Sequence, residues 1–189
     1  MYRPAEKADC RTIAKLFSIA SDGVADYVWT KLAEPGEDIL EVAERRYSRD
    51  DLLFGYKNCV VAELGGEVIG MMVSFPMYST ENAEPEAEAD PVLAPYSKLE
   101  QHDSYYISGI AVFPDYRGMG IGTKFLEIAE RKARENKLSR ISLIVFEQNE
   151  GAKRLYERHA FYETAREKVV PHELIHYTGY ALLMVKDIN

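Results

Sequence analysis

The chain has 189 residues, 47% of them apolar and 29% charged, with a formal net charge of -8. Those values suit one globular domain over residues 1–189 with a substantial core, and they exclude collagen-like, hydrophobic-poor and cysteine-dense classes. A sequence pI near 5.1 argues against a broad phosphate-facing surface for nucleic acid, because such binding draws on positive charge. Cys10 and Cys59 are the two cysteines, and without Cys-x-x-Cys or Cys/His spacing they suggest neither a disulfide framework nor a metal site. The charged start and the lack of any apolar run near 18 residues lead to the expectation of a cytoplasmic enzyme with no membrane span.

Asp9 precedes Ile13, Leu16, Phe17 and Ala20, the i, i+3, i+4, i+7 spacing of an amphipathic helix. A second helix is expected over Val24 to Leu32, and a third around Ile39, Leu40 and Val42 after the Pro35-Gly36 break. Runs 58–63 and 68–73 flank Gly65-Gly66 and read as a β-hairpin. Between Glu81 and Asp103, seven acids (Glu81, Glu84, Glu86, Glu88, Asp90, Glu100, Asp103) face one base, Lys98, among three prolines. We read residues 81–104 as an exposed acidic connection within the domain, either a solvated loop or a mobile lip over a site for a cationic substrate. A strand follows over Tyr105 to Val112, a helix over Gly120 to Asn136, a strand over Ile141 to Phe146, a helix from Asn149 to Arg158, and strands near Phe161–Val169 and Tyr177–Lys186. This order predicts an α/β protein with a central mixed sheet and helices on both faces.

The segment Val112-Phe113-Pro114-Asp115-Tyr116-Arg117-Gly118-Met119-Gly120-Ile121-Gly122-Thr123 takes a strand through a glycine-rich turn into a helix. The first amides of a helix have no internal partner, and the macrodipole adds about half a positive charge there, so such a turn binds anions. Gly122-Thr123-Lys124 runs in the wrong order for a Walker loop, and no third glycine or later acid completes a dinucleotide fingerprint.

Arg117-x-x-Gly120-x-Gly122, preceded by Ile110-Ala111-Val112-x-Pro114-x-Tyr116, resembles the acetyl-CoA signature of the GCN5-related N-acetyltransferases. Asn149-x-x-Ala152-x-x-Leu155-Tyr156-Glu157 and then His159-Ala160-Phe161 is similar to that family's second motif, with Ala160 in place of the usual glycine. The resemblance implies a mixed, mostly antiparallel sheet, splayed between the strands before and after the glycine-turn helix. It further implies that the backbones of Ile110, Ala111 and Val112 hold pantetheine and the thioester. Arg117, Gly118, Met119, Gly120, Ile121, Gly122 and Thr123 would hold the pyrophosphate, and Asn149 would add a contact. Without the motifs, Ile110 to Val112 read as plain buried strand, Asn149 as a helix cap, and Tyr156 as a core residue on the face of Ala152 and Leu155.

The implied activity is transfer of an acetyl group from acetyl-CoA to a primary amine by direct attack through a tetrahedral intermediate, with Tyr156 protonating the leaving thiolate. The alternatives are transfer of another acyl group and a non-catalytic acyl-CoA-binding module. The acceptor is expected to be a small-molecule or peptide amine, cationic if the acidic connection steers it; the family also admits a homodimer. No base stands out: some members place a glutamate where this chain has Ile144. Glu81, Asp103, Tyr105, Tyr106, Glu147, His172 and His176 are candidates, with Tyr105, Tyr106 and the acids near them ranked first.

Overall fold

The computed structural model describes residues 1–78 and 90–188. Glu81, Glu84, Glu86 and Glu88 therefore lie outside the described residues. Seven strands, β1 (Tyr2–Pro4), β2 (Cys59–Leu64), β3 (Glu67–Met77), β4 (Ser104–Val112), β5 (Arg140–Phe146), β6 (Tyr162–Lys168) and β7 (Tyr180–Asp187), form a mixed sheet. Their order is β1-β2-β3-β4-β5-β7-β6. The chain divides into two compact units, Met1–Phe75 with Ser108–Phe125, and Pro76–Ile107 with the residues from Leu126 onward, so β4 contributes to both.

In the first unit, β1 pairs antiparallel with β2 and β2 with β3. The turn between β2 and β3 is closed by Gly65 at φ 60° and Gly66 at φ 87°, the left-handed pair that lets a two-residue turn follow the twist of its strands. Helices α1 (Cys10–Ser21), α2 (Val24–Leu32) and α3 (Ile39–Tyr47) pack around aromatic contacts. Tyr47 lies 5.3 Å from the ring of Phe17 and 5.9 Å, edge-on, from that of Trp29. Of the predicted stripe on α1, Ile13, Leu16 and Phe17 are buried. Asp9 stands at the N-cap of α1 without a side-chain cap bond; its carboxylate accepts from the Arg3 guanidinium at 2.7 and 3.0 Å and from the Glu6 N–H at 2.8 Å.

The second unit centres on β5 and β7, paired antiparallel from Arg140↔Asp187 to Phe146↔Ala181, with β6 on the far side of β7. The first half of β4 joins β5 in parallel register from Tyr105↔Ile141 to Ile107↔Leu143. Both strands run on past that register, to Val112 and Phe146. Parallel neighbours need a crossover, supplied by α5 (Ile121–Glu135). The hydroxyls of Ser104 and Ser142 meet at 2.6 Å in the buried interior. The connection expected to be exposed differs where it is described: Val92, Pro95 and Leu99 are buried, and a short helix, α4 (Ala94–Ser97), follows the buried Asp90. Asp90 Oδ1 accepts from Val92 N–H at 2.9 Å and its carbonyl from Ala94 N–H at 2.8 Å, so this acid organises the turn rather than facing solvent.

Candidate active site

β4 alternates along its length, with Tyr105, Ile107, Gly109 and Ala111 buried and Tyr106, Ser108, Ile110 and Val112 half-buried, as period-2 geometry requires. Two glycines set where it lies in the first unit. A Cβ on Gly109 would stand 3.1 Å from Ala20 Cβ of α1. A Cβ on Gly70 of β3 would stand 3.0 Å from the Ala111 carbonyl oxygen, 3.3 Å from Val112 Cγ2 and 3.5 Å from Ile121 Cγ2. Gly70, which the sequence reading did not single out, thus admits the end of β4 and the start of α5 to close packing. Phe113 N–H donates to the Ile69 carbonyl at 3.0 Å and ties down the exit of the strand.

Beyond Phe113 the chain makes one turn of 3-10 helix over Pro114–Tyr116. Arg117 Nε then donates back to the Val112 carbonyl at 3.3 Å. Gly118 and Gly120 take φ of 79° and 78°, a region that costs L-residues roughly 1–2 kcal/mol. At neither glycine would a Cβ meet any atom within 4 Å, so they serve backbone conformation and leave open space above it. Gly118, Met119 and Gly120 are exposed, Met119 to 60%. The first i→i-4 bond of α5 runs from Lys124 N–H to the Gly120 carbonyl at 3.1 Å. The N–H groups of Ile121 and Gly122, ahead of it, have no such intrahelical acceptor. No acidic residue stands in the first turn of α5, whereas Arg117 and Lys124 flank it. The local field favours an anion.

The second motif lies in the second unit. Asn149 caps α6 (Glu150–Arg158): its Oδ1 accepts from Ala152 N–H at 3.2 Å. Its own N–H donates to the Phe146 carbonyl at 2.9 Å, which joins the helix start to the end of β5. At the other end, Phe161 N–H donates to the Tyr156 carbonyl at 3.0 Å and Ala160 N–H to the Glu157 carbonyl at 3.0 Å. This pair of bonds is a Schellman cap. Ala160 occupies its left-handed position at φ 64°, the place where the family pattern has glycine. The rings of Tyr156 and Phe161 lie 5.8 Å apart, the apolar contact that accompanies such a cap. Tyr156 is 8% exposed, and the cap fixes the backbone from which its side chain projects.

The base candidates fare differently. Tyr105 is buried and Tyr106 half-buried. Burial, helped by the Glu100 carboxylate, pushes the Tyr106 phenol above its ordinary value. Glu100, one of the acids near them, is exposed as a residue, yet partial desolvation raises its carboxyl while His102 opposes the shift. Glu147 is paired with Arg166 at 3.2 Å, and His172 Nδ1 accepts from Leu174 N–H at 3.2 Å. Asp103 and His176 are exposed, and Glu81 lies outside the described residues. No residue is distinguished among them as the base.

A strand leading through a glycine turn into a crossover helix, followed by a strand and an asparagine-capped helix, defines an acyl-CoA-type transferase. The sequence model of the acetyltransferase (GNAT) family matches residues 25–161, and the chain belongs to that family: it is an acetyltransferase, and acetyl-CoA is the cosubstrate. The curated proteins contain no match. Among solved structures, an N-acetyltransferase from Staphylococcus aureus Mu50 is similar at 25% identity and TM-score 0.66, covering 98% of this chain and 100% of its own. A ribosomal-protein-alanine N-acetyltransferase from Brucella melitensis is similar at 22% identity and TM-score 0.65, with 100% and 99% covered. The protein yncA from Salmonella typhimurium, solved with its cofactor acetyl-CoA, is similar at 19% identity and TM-score 0.65, with 100% and 94% covered. The two below 25% identity bear on the fold. Among the described residues, no helix is long and apolar enough to cross a membrane.

Proposed function

We propose that this chain transfers the acetyl group of acetyl-CoA to a primary amine, by direct attack of the amine on the thioester through a tetrahedral intermediate. The observation that carries this reading is the turn at Gly118 and Gly120: left-handed φ at both, open space where each Cβ would stand, and α5 opening behind them with no acid in its first turn. A diphosphate fits such a cradle. The amides of Gly118, Met119, Gly120, Ile121, Gly122 and Thr123 take its oxygens, and Arg117 adds a guanidinium. The backbone of Ile110, Ala111 and Val112 takes the pantetheine arm, since these side chains offer no functional group. An N–H there, aimed at the thioester carbonyl, stabilises the charge that develops on its oxygen. The thioester supplies an activated acyl group. Asn149 keeps its oxygen on the helix cap while its carboxamide nitrogen contacts the cosubstrate. The Tyr156 hydroxyl donates its proton to the departing sulfur.

The test compares Gly120→Asp with Gly120→Asn. Both side chains tolerate a left-handed φ better than most, so the pair differ chiefly in charge. Isothermal calorimetry is expected to give the Asp variant an acetyl-CoA affinity lower by more than about tenfold, and the Asn variant a smaller loss. A folded Asp variant that binds acetyl-CoA like the unaltered protein contradicts the assignment of the turn.

A further inference from the structure

The entry of β4, the entry of β5 and the exit of β7 meet at one end of the second unit. Arg140 pairs with Asp187 in antiparallel register. The parallel register Tyr105↔Ile141, continued back past Ser104, brings Asp103 level with Ser139, one strand spacing of about 4.8 Å away. An open groove of about 680 Å³ lies across these strand ends, lined by Gln101, His102 and Asp103 ahead of β4, Ser139 and Arg140 at β5, and Asp187 at β7. All of these residues belong to the second unit. Arg140 and Phe146 are the two ends of β5, about 20 Å of strand apart, so the groove stands at the end of β5 opposite the Asn149 cap.

The polar groups of the groove are not equivalent. Asp187 is engaged at both carboxylate oxygens: Oδ1 accepts from Arg140 Nε at 2.8 Å and Oδ2 from the Tyr162 hydroxyl at 2.6 Å. It braces the guanidinium. Among the described residues, the Nη groups of Arg140 and the Ser139 hydroxyl donate to no partner, which leaves the planar fork an edge able to grip a carboxylate with two parallel bonds. Gln101 Nε2 donates to the His102 carbonyl at 3.0 Å, and its Oε1 stays an acceptor. Asp103 is exposed and takes φ 56°, a left-handed conformation that costs an L-residue free energy and is often tied to function.

We infer that this groove is a second binding site, for a free α-amino acid as its zwitterion: the Arg140 fork and the Ser139 hydroxyl take the carboxylate, and Asp103 with Gln101 Oε1 takes the ammonium. The arrangement of charge selects this class. A simple anion on Arg140 meets Asp103 and Asp187 beside it. A divalent cation finds two acids divided by a guanidinium, and among the described residues no three metal-ligating side chains gather. A simple amine leaves the fork empty. A ligand that carries both signs on neighbouring atoms satisfies both ends.

The experiment is isothermal calorimetry of the full-length protein, Arg140→Gln and Asp103→Asn with L-alanine, L-leucine and L-glutamine. N-acetyl-L-alanine and L-alaninamide, which each lack one of the two charges, serve as the comparison. Both variants should melt close to the unaltered protein, because each side chain is exposed and Asn tolerates the left-handed conformation at position 103. At least one amino acid is expected to bind, and each variant should weaken it about tenfold, the order expected for a lost bond to a charged group. The blocked compounds should bind at least about tenfold more weakly by the same reasoning. Saturating acetyl-CoA should leave the amino-acid affinity unchanged, and neither variant should alter the affinity for acetyl-CoA.

Four results each overturn the site: no binding of any of the three amino acids, binding that neither variant weakens, a blocked compound bound as tightly and weakened by the same variants, or displacement of the amino acid by acetyl-CoA. Acetyl-CoA binding, read separately in the same instrument, tests the function proposed above, so a failure of the groove and a failure of that function are distinguishable.

Discussion

Ala160 offers a direct test of the physical reading of the second motif. It holds the left-handed position of the Schellman cap that ends α6, at φ 64°. The bonds from Ala160 to the Glu157 carbonyl and from Phe161 to the Tyr156 carbonyl depend on that conformation. A left-handed φ costs an L-residue about 1–2 kcal/mol, and the methyl group is exposed, so its removal forfeits little burial. Against this, glycine adds unfolded-chain entropy worth about 0.4–1 kcal/mol. Ala160→Gly should thus stabilise the fold by roughly 0.5–1 kcal/mol. For a chain of this size that raises the melting temperature by about 1–4 °C. Urea unfolding should show a higher midpoint with an unchanged slope. The β-branched Ala160→Val should move the midpoint the other way, and kcat should survive Ala160→Gly because the cap bonds persist. A lowered midpoint for Ala160→Gly, or equal midpoints for Gly and Val, would show that the position is not held left-handed and that Tyr156 is not fixed by this cap.

Three other outcomes follow from the same geometry. Tyr156→Phe keeps the contact with Phe161 and removes the proton donor, so kcat should drop by about 10²–10⁴ with acetyl-CoA affinity retained; steady-state kinetics showing an intact kcat would return Tyr156 to a packing role. Gly70→Ala places a methyl 3.0 Å from the Ala111 carbonyl oxygen. It should cost about 1–3 kcal/mol of stability and raise the KM for acetyl-CoA, and a variant unchanged in both would refute the close approach. Alkaline pH should destabilise the fold: burial raises the Cys10 thiol from 9.0 to about 11, and lifts the phenols of Tyr47, Tyr96 and Tyr106 above 10.0. The unfolded chain loses these protons first, so above pH 9 it binds fewer protons than the native state and stability falls as pH rises. Urea midpoints between pH 8 and pH 10.5 measure this, and a rising midpoint would contradict it.

Much of the fold was legible because helices and tight turns are written in contacts of four residues or fewer. The stripe Ile13, Leu16, Phe17 marked α1, the predicted Val24 to Leu32 is α2 residue for residue, and Gly65-Gly66 announced the hairpin. The glycine turn and the Asn149 cap were visible for the same reason, since the spacing that makes them is local. Long-range neighbours were not visible. β1 is three residues long and exists through its pairing with β2, sixty positions away, so no periodicity reveals it. The connection before β4 looked wholly exposed because its acids dominate its composition, yet Val92 and Leu99 find cover and Tyr96 finds Phe146. Gly70 and Gly109 carried no signal, because the need for a missing side chain arises from the strand or helix that packs against it. Local sequence thus determined which turns could bind an anion and cap a helix; tertiary structure decided what approaches those turns closely, because close approach is a property of two segments and neither encodes it alone.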